Sequence, residues 1–274
     1  MNNIKRCTIC NSQKLIFLLK PIRGKSIYIC RKCSNAITIP HPKVSYADND
    51  FFLGGKNDVE LFRTYSKPII KYIRTIIKHG RLLDIGTGGG FLLEEAQRCG
   101  FQAEGIEPSK SAVSYCRSKG LKVTRSLLKD NLFRTKYFNI ISASHVLEHV
   151  EDPNDFLKIC RELLANDGYM FLSQTNYTGS IPKLLGKYWE GWMPNEHYTH
   201  FSPRGIQYVL EKCGFKVLDV TIVPLGYKLR WKWGNVHTLA NNIYNSVNFL
   251  ISKFHIGYPF TGDQMYIAAK KGDI

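Results

Sequence analysis

The sequence contains no apolar run of the roughly 18–20 residues that a membrane span needs. No apolar segment follows the charged start MNNIKRC, so we expect no signal peptide either. Charged residues make up 22% and hydrophobic residues 44%, a composition that is typical of a folded protein and argues against global disorder. The eight cysteines do not read as the disulfide framework of a small secreted protein, because the chain is long. We therefore expect a globular protein of the cytoplasm.

The net charge of +16 is the most unusual bulk property of the chain. A basic protein attracts phosphates, nucleic acid or an anionic membrane surface. The charge is spread along the sequence and no run resembles a basic arm, so freely used surface lysine explains it equally well. Nucleic acid therefore stays open as a partner, but it is not favoured.

Two C-x-x-C pairs near the N-terminus predict a metal site. Cys7 and Cys10 form one pair, Cys30 and Cys33 form the other, and 19 residues separate the pairs. Each pair aims two thiolates at one point, and two pairs complete a tetrahedron around a zinc ion. Redox chemistry would instead need one pair beside a strand–helix unit. We predict a zinc-ribbon-like module over residues 1–45 with a structural ion; it either binds substrate, covers a site or only docks.

After a helix predicted over 59–79, strands and helices alternate along the chain. Strands are predicted over 81–86, 103–106, 138–143 and 169–173, with helices over 91–99, 109–119 and 152–165 between them. Two further strands, over 216–223 and 264–269, are predicted to be antiparallel. This order predicts an α/β fold, a sheet with helices on both faces.

A glycine-rich turn follows the first strand of this pattern. Asp84 stands two residues before Gly86, Gly88 comes next, and Glu107 ends the following strand. The glycines let the backbone approach a ligand, and Glu107 is placed to accept ribose hydroxyls. A dinucleotide would put its pyrophosphate at this helix N-terminus, where Asp84 would repel it. The turn therefore favours a nucleoside ligand that carries an ammonium group.

Four segments resemble the class I S-adenosylmethionine-dependent methyltransferases over roughly residues 60–220. They are LLDIGTGGGFLLE (82–94), GIEPS (105–109), FNIISASHVLEHVEDP (138–153) and NDGYMFLSQTN (166–176). The run from His145 to His149 resembles the branch of ubiquinone biosynthesis and its relatives acting on small molecules and glycans. The resemblance implies a Rossmann-like, seven-stranded sheet over a domain at 46–274 and S-adenosyl-L-methionine as cofactor.

The resemblance also assigns cofactor contacts to individual residues. The residues implied are Asp84, Gly86, Gly88, Glu107, Pro108, Leu127 (or its neighbour Leu128), Ser144 and His145. Glu107 would hold the ribose, Leu127 the adenine, and Ser144 and His145 the methionine end. The sequence departs from the family at 126–128, where an acidic residue is common, and at Asn139, where Asp is usual.

The acceptor side is expected in two insertions, at about 177–202 and 224–262. The first is rich in aromatic residues, whose faces suit sugar rings, and carries His197 and His200. These two and His149 are candidate general bases for methyl transfer to a hydroxyl, although each is equally able to be structural. His197 and His200 have no apparent third ligand for a metal.

Two segments carry further alternatives. Residues 46–55 combine aromatics with a glycine pair, which fits either a lid or a packed loop. Residues 228–233 are basic and aromatic and precede an apolar stripe over 236–254, so peripheral membrane contact through 228–254, a partner subunit and internal packing all stay open.

The function predicted is O-methylation of a small molecule or glycan, such as a nucleotide sugar, a surface polysaccharide unit or a specialised metabolite. An RNA methyltransferase that grips RNA through the zinc module is the alternative. A non-catalytic binding module is the third hypothesis, which the intact Asp84 and Glu107 disfavour. The sequence does not indicate an oligomeric state.

Overall fold

The computed structural model describes residues 6–44, 56–223 and 262–272. The predicted lid at 46–55 therefore lies outside the described residues, as do the basic stretch 228–233 and the apolar stripe 236–254. Among the helices that are described, none is both long and apolar enough to cross a membrane.

The described chain forms eleven strands and six α-helices. In chain order they are β1 (Leu15–Ile22), β2 (Lys25–Cys30), β3 (Ala36–Ile39), α1 (Lys56–Ile76), β4 (Gly80–Ile85), α2 (Phe91–Arg98), β5 (Phe101–Glu107), α3 (Lys110–Ser118), β6 (Val123–Arg125), β7 (Phe138–Ser144), α4 (Pro153–Leu163), β8 (Leu164–Thr175), α5 (Ser180–Leu185), β9 (Thr199–His200), α6 (Pro203–Lys212), β10 (Phe215–Val223) and β11 (Gln264–Lys271). Short 3₁₀ turns follow β7 and α5.

Seven strands form one sheet in the order β10-β11-β8-β7-β4-β5-β6. The five strands from β8 to β6 are parallel, and β11 runs antiparallel between β8 and β10. This confirms the predicted α/β class and its Rossmann-like seven-stranded sheet. Because β4, β5, β7 and β8 are parallel, their carboxyl ends meet at one edge, where ligands bind in such sheets.

Alternating side chains on the central strands build two cores. Leu83 and Ile141 point to one face, where α4 and α6 cover them. Leu82 and Ile140 point to the other face, where α1 and α2 cover them. Ile9 of the N-terminal module joins the first core, so the module packs on the α4/α6 face of the sheet.

The N-terminal module is an antiparallel sheet with a fourth strand taken from far along the chain. β1 and β2 form a hairpin closed by Arg23 and Gly24, both with positive φ (51° and 76°), the conformation that two-residue hairpin turns require. β3 pairs with β2 on one side and with β9 on the other, in the order β1-β2-β3-β9. The pairing with β9 has no signal in the local sequence.

Candidate active site

The turn between β4 and α2 brings bare backbone to the carboxyl edge of the sheet. Gly86 has φ 70°, and a Cβ there would lie 2.5 Å from Val146 Cγ2. Gly88 has φ 51°, and nothing described lies within 4 Å of the place its Cβ would take. The turn is therefore packed at Gly86 and open at Gly88, which leaves room for a ligand against the main chain.

Glu107 ends β5 directly beside this turn. Its Oε2 accepts a hydrogen bond from the Gly88 amide and its Oε1 accepts one from the Ser109 amide, each 2.9 Å long. Burial raises the pKa of Glu107, while these two backbone donors lower it. The carboxylate is thus fixed in orientation, and each oxygen keeps a lone pair for a ligand hydroxyl.

The loop after β6 approaches the same carboxylate residue. The Ser126 amide donates to the Glu107 carbonyl oxygen at 3.2 Å. Leu127 follows with 55% of its surface exposed, and Pro108 is half-buried on the other side of Glu107. An exposed apolar residue therefore follows the one that is hydrogen-bonded to the main chain of Glu107, in agreement with the adenine and ribose positions that the resemblance implies.

Asp84 lies in β4 and is buried at the same edge. Its Oδ1 accepts a hydrogen bond from Ser142 Oγ of β7 at 2.6 Å. Burial raises the pKa of Asp84 to about 6, although the hydrogen bond from Ser142 lowers it. A buried carboxylate of this kind favours a cationic group nearby.

Ser144 ends β7, and His145 follows with a positive φ of 54°. The Nδ1 atom of His145 lies 3.1 Å from Glu148 Oε1, and its Nε2 lies 3.3 Å from Gln264 Nε2. The structure therefore brings the eight sequence-predicted cofactor positions to one edge of the sheet.

Several buried polar atoms at this edge have no hydrogen-bond partner among the described residues. They are Glu148 Oε2, both amide atoms of Gln174 and Asp263 Oδ1. Burial also raises the pKa of Asp263 to about 6. Leaving a buried polar group unpaired costs about 1–3 kcal/mol, so these atoms need partners, such as water or a ligand, in addition to the described residues.

Sequence analysis did not single out Glu148, Gln174, Asp263 or Gln264. Glu148 lies between His145 and His149 in the segment 138–153, and a carboxylate between two histidines is the pattern that could have indicated it. Asp263 and Gln264 enter the site because β11 runs antiparallel and places its first residue opposite Thr175. No local pattern marks them.

His197 and His149 meet beside Glu148. Their rings are edge to face with centroids 4.6 Å apart, and His197 Nδ1 lies 3.1 Å from the Gly191 carbonyl oxygen. Burial lowers the pKa of His197 to about 4, so its ring is neutral at pH 7, with Nδ1–H donating and Nε2 carrying a lone pair.

The same three residues offer ligand atoms that lie within 4.8 Å of one another, one oxygen and two nitrogens. Burial alone would raise the pKa of Glu148. The hydrogen bond from His145 and the electrostatic effect of the neighbouring histidines outweigh burial and hold this pKa well below its usual value. Such a set has the chemistry to take up either a proton or a divalent cation.

His200 borders this group, with its ring centroid 5.9 Å from that of His197, but its hydrogen bond runs to the N-terminal module. It is fully buried, its Nε2 is 2.9 Å from Thr38 Oγ1 of the N-terminal module, and burial lowers its pKa well below the usual value. The hydrogen bond across the module boundary favours a structural role for His200. A catalytic role would require the ring to leave this contact.

Trp189 and Trp192 are also buried against the module. Their rings pack with Tyr177 of the large domain and with Ile27 and Ala36 of the module. Trp192 Nε1 donates to the Gly186 carbonyl oxygen at 2.7 Å. These two aromatic faces therefore are not open to a sugar ring, contrary to our expectation for the 177–202 insertion.

The four module cysteines converge. Cys7 Sγ lies 3.5 Å from Cys33 Sγ, Cys10 Sγ lies 3.5 Å from Cys30 Sγ, and all four sulfurs lie within 4.8 Å of one another. These separations exceed the disulfide length of about 2.05 Å and approach the ~3.8 Å edge of a tetrahedron with zinc–sulfur bonds of about 2.3 Å. The donor set and its spacing fit zinc.

The second cysteine knuckle is hydrogen-bonded to two residues of the large domain, Tyr177 and Ser202. The Ser34 carbonyl oxygen accepts hydrogen bonds from Tyr177 OH at 2.9 Å and Ser202 Oγ at 2.7 Å. The Thr38 amide donates to the Tyr198 carbonyl oxygen, and the Tyr198 amide donates to the Glu148 carbonyl oxygen. The module is thereby connected to Glu148 through one residue.

Comparison with known proteins agrees with this geometry. A family model described as a methyltransferase domain matches residues 59–220. A ubiquinone biosynthesis O-methyltransferase of Caulobacter sp. (strain K31) is 34% identical over 131 residues, which cover 44% of this chain and 52% of that protein. The chain spans about half the length of the curated relatives it matches.

Solved structures share the fold at lower identity. A SAM-dependent methyltransferase from Archaeoglobus fulgidus is 22% identical with a TM-score of 0.56, and the match covers 81% of this chain and 97% of that one. A Burkholderia thailandensis 1,6-didemethyltoxoflavin-N1-methyltransferase is 12% identical with a TM-score of 0.56, over 93% and 98% of the two chains. At these identities the likeness establishes the fold alone.

Proposed function

Because the chain belongs to the methyltransferase domain family, we propose that it is an S-adenosylmethionine-dependent methyltransferase that acts on an oxygen of a polar small molecule or glycan. The observation that carries the proposal is the fixed pair of carboxylates, Asp84 and Glu107, on either side of the open turn at Gly88. The same pair disfavours a phosphate-bearing dinucleotide at this turn.

The residues of this edge divide the binding of the cofactor between them. S-adenosyl-L-methionine, when bound, supplies an electrophilic methyl group on a sulfonium. Glu107 accepts the ribose hydroxyls, since both of its oxygens are already oriented by backbone amides. Asp84 attracts the positive charge, and Leu127 covers the adenine. Ser144 and His145 border the methyl end.

The unpaired polar atoms support a hydroxyl-rich acceptor. Gln174 offers a donor and an acceptor, and Glu148 and Asp263 offer carboxylate oxygens, all buried. A polyhydroxylated molecule satisfies such a set, whereas an apolar one would leave it unpaired. The curated relatives are O-methyltransferases, which supports oxygen as the atom methylated.

His197 is the base that we propose for this reaction. Its Nε2 carries the lone pair that would accept the proton of the acceptor hydroxyl. Glu148, ionised beside it, stabilises the imidazolium that results. His149 packs on the His197 ring and restricts its orientation.

We also propose that Cys7, Cys10, Cys30 and Cys33 hold one structural zinc ion. The four thiolates leave no open coordination position, so the ion would stabilise the module and take no part in the chemistry. The module in turn fixes β9, and β9 follows His197 after a single residue.

The first test is to follow a labelled methyl group. Purified chain and methyl-labelled S-adenosylmethionine are incubated with separate pools of nucleotide sugars, glycolipids and RNA, and the label is measured in each pool. We expect label in a sugar-containing pool. A Glu107→Gln variant serves as the control, because it should lose cofactor binding and label together. Label in RNA alone would refute the acceptor class, and no label in any pool together with no cofactor binding would refute the activity.

The second test concerns His197. His197→Asn should lower kcat for the identified acceptor by about 10²- to 10⁴-fold, the usual contribution of a general base, while the Kd for S-adenosylmethionine stays unchanged. His200→Asn is the matched comparison in the same segment, and its main effect should be on stability. Equal losses of kcat in both variants would contradict the assignment of the base.

A further inference from the structure

The N-terminal module is free of acidic residues. Residues 1–45 contain nine of the 38 lysines and arginines and none of the 22 aspartates and glutamates. This short segment therefore supplies more than half of the net charge of +16. Four thiolates around a Zn²⁺ ion carry two negative charges, which leaves the module strongly cationic.

The cations are concentrated on one open surface. Lys14, Arg31 and Lys32 line a cleft of about 970 Å³ that also borders Cys10 and Ile16. All three side chains are exposed. Within the part of the chain that the structure describes, no carboxylate forms a salt bridge with them. Their charge is therefore available to an anion outside the chain.

An apolar surface adjoins these cations. Ile16, Phe17 and Leu18 are consecutive on β1 and are 41%, 52% and 36% exposed. Ile16 and Phe17 pair in regular register and so point to opposite faces of the strand, and a bulge between Phe17 and Leu19 breaks the alternation after them, so apolar side chains are exposed on both faces of β1. β1 is the edge of its sheet. We call these three residues the β1 ridge.

We propose that the β1 ridge and the cations beside it dock the protein on an anionic lipid surface. The apolar side chains gain by entering the interfacial region of the bilayer, and each cation gains by its attraction to anionic headgroups. A nucleic acid would use the cations, but it gains from aromatic faces rather than from exposed Ile16 and Leu18. The ring of Phe17 is engaged edge to face with Tyr28, at 5.6 Å between centroids. The combination of aliphatic ridge and cations therefore favours lipid.

The docking is tested by sedimenting the zinc-loaded full chain with vesicles. We expect binding to phosphatidylcholine vesicles that contain 30% phosphatidylglycerol and none to phosphatidylcholine alone. Replacing Lys14, Arg31 and Lys32 together by Gln should weaken binding about a hundredfold, since each cation near an anionic surface contributes about fivefold. Phe17→Ser should weaken binding about tenfold, through the loss of buried apolar area.

Matched variants in the large domain, outside the module, control for charge and hydrophobicity. Lys71, Arg74 and Lys78 are exposed on or just after α1, and their triple Gln variant removes the same charge. Leu218→Ser removes an apolar side chain that is 46% exposed on β10. Both should bind anionic vesicles as the unmodified chain does, and all variants should keep the same zinc content.

Three outcomes would overturn the proposal. The first is an equal loss of vesicle binding in the control variants. The second is binding to a single-stranded RNA oligomer, abolished by the same module variants, with no binding to vesicles. The third is a change of oligomeric state on replacing Phe17, which would make a second copy of the chain the occupant of the ridge.

Discussion

The carboxyl edge of the large sheet, where we propose that the cofactor binds (the cofactor edge), and the N-terminal module differ in how far apart in sequence their residues lie. At the cofactor edge, Asp84, Gly88 and Glu107 lie within 24 residues of one another in sequence and are joined by adjacent parallel strands. The module is completed by β9, more than 160 residues after β3, and by hydrogen bonds from Tyr177 and Ser202 to the Ser34 carbonyl oxygen. One region is local, and the other depends on distant parts of the chain.

This difference separates two kinds of stability. The carboxyl edge of the large sheet rests on an apolar core in which Leu83 and Ile141 are fully buried. The module shares that core through Ile9 and Cys30, has a second, small core around Ile27, and in our proposal depends in addition on a metal ion. Damage to the module should therefore reach the acceptor side through β9 before it reaches the cofactor.

The largest expected effect comes from removing a zinc ligand. Cys30→Ser should abolish zinc binding, whose free energy in small zinc modules is about 10 kcal/mol or more, and should unfold the module at a lower temperature than the large domain. Metal content and thermal unfolding measure this. The Kd for S-adenosylmethionine should change by less than about threefold, because among the described residues no hydrogen bond joins Asp84 or Glu107 to the four cysteines.

Cys99→Ser is the matched control, since Cys99 is a half-buried thiol outside the module. It should keep its zinc content and its unfolding profile. If Cys30→Ser instead weakened cofactor binding as strongly as it lowered metal content, the two regions would be one cooperative unit and the comparison would fail.

A second prediction concerns Asp84, whose pKa burial raises to about 6. A carboxyl whose folded pKa lies above its unfolded value lowers stability as pH rises through the folded value. Asp84→Asn should therefore raise the free energy of unfolding of the ligand-free chain by up to about 3 kcal/mol at pH 7.5, and the gain should vanish as pH falls towards 4. Urea unfolding at several pH values measures this.

The unmodified chain should bind S-adenosylmethionine less tightly below pH 6, with the Kd rising about tenfold per pH unit as Asp84 takes up a proton. In Asp84→Asn this dependence should disappear, at a uniformly weaker Kd. Titration calorimetry between pH 5 and pH 8 compares the two. A pH dependence that survives in the variant would assign it to another group.

The smallest effect is expected at the boundary between the two regions. Thr38→Val removes the hydroxyl that lies 2.9 Å from His200 Nε2 and leaves that nitrogen buried without a partner. The free energy of unfolding should fall by about 1–3 kcal/mol, with the Kd for S-adenosylmethionine unchanged. Thr75→Val, at an exposed threonine of α1, should change stability by less than about 0.5 kcal/mol. Equal effects in both would remove any special role for Thr38.

The same division explains what the sequence could predict. The glycine turn, the acidic residue that ends the next strand and the capping residues of the helices are all local signals. Ser109 caps α3 by accepting from the Ala112 amide, and Asp152 caps α4 by accepting from the amides of Asn154 and Asp155, both at the predicted starts. The alternation of strands and helices predicts six strands of the large sheet, and the resemblance to the family implies the seventh. The structure confirms a seven-stranded sheet, in which the short strand β6 is the one that the pattern did not mark.

The acceptor side could not be predicted in this way. In sequence, His197 and His200 are equivalent candidates, separated by two residues. The structure distinguishes them because Thr38, 162 residues away in sequence, is hydrogen-bonded to His200, whereas His197 lies beside Glu148. Asp263 likewise reaches the site only through the antiparallel pairing of β11. Such contacts depend on topology and leave no periodic pattern.

The two-residue strand β9 also bears on how this protein can be recombined with its relatives. A chimera that exchanged the module at residue 45 alone would place a foreign β3 beside Thr199 and His200, and would lose the Thr38–His200 contact unless both partners matched. Deleting the module would bare β9 and the apolar surface under Ile9 to solvent. Residues 197–202 are therefore structurally part of the module. A chimera should exchange residues 1–45 and 197–202 together.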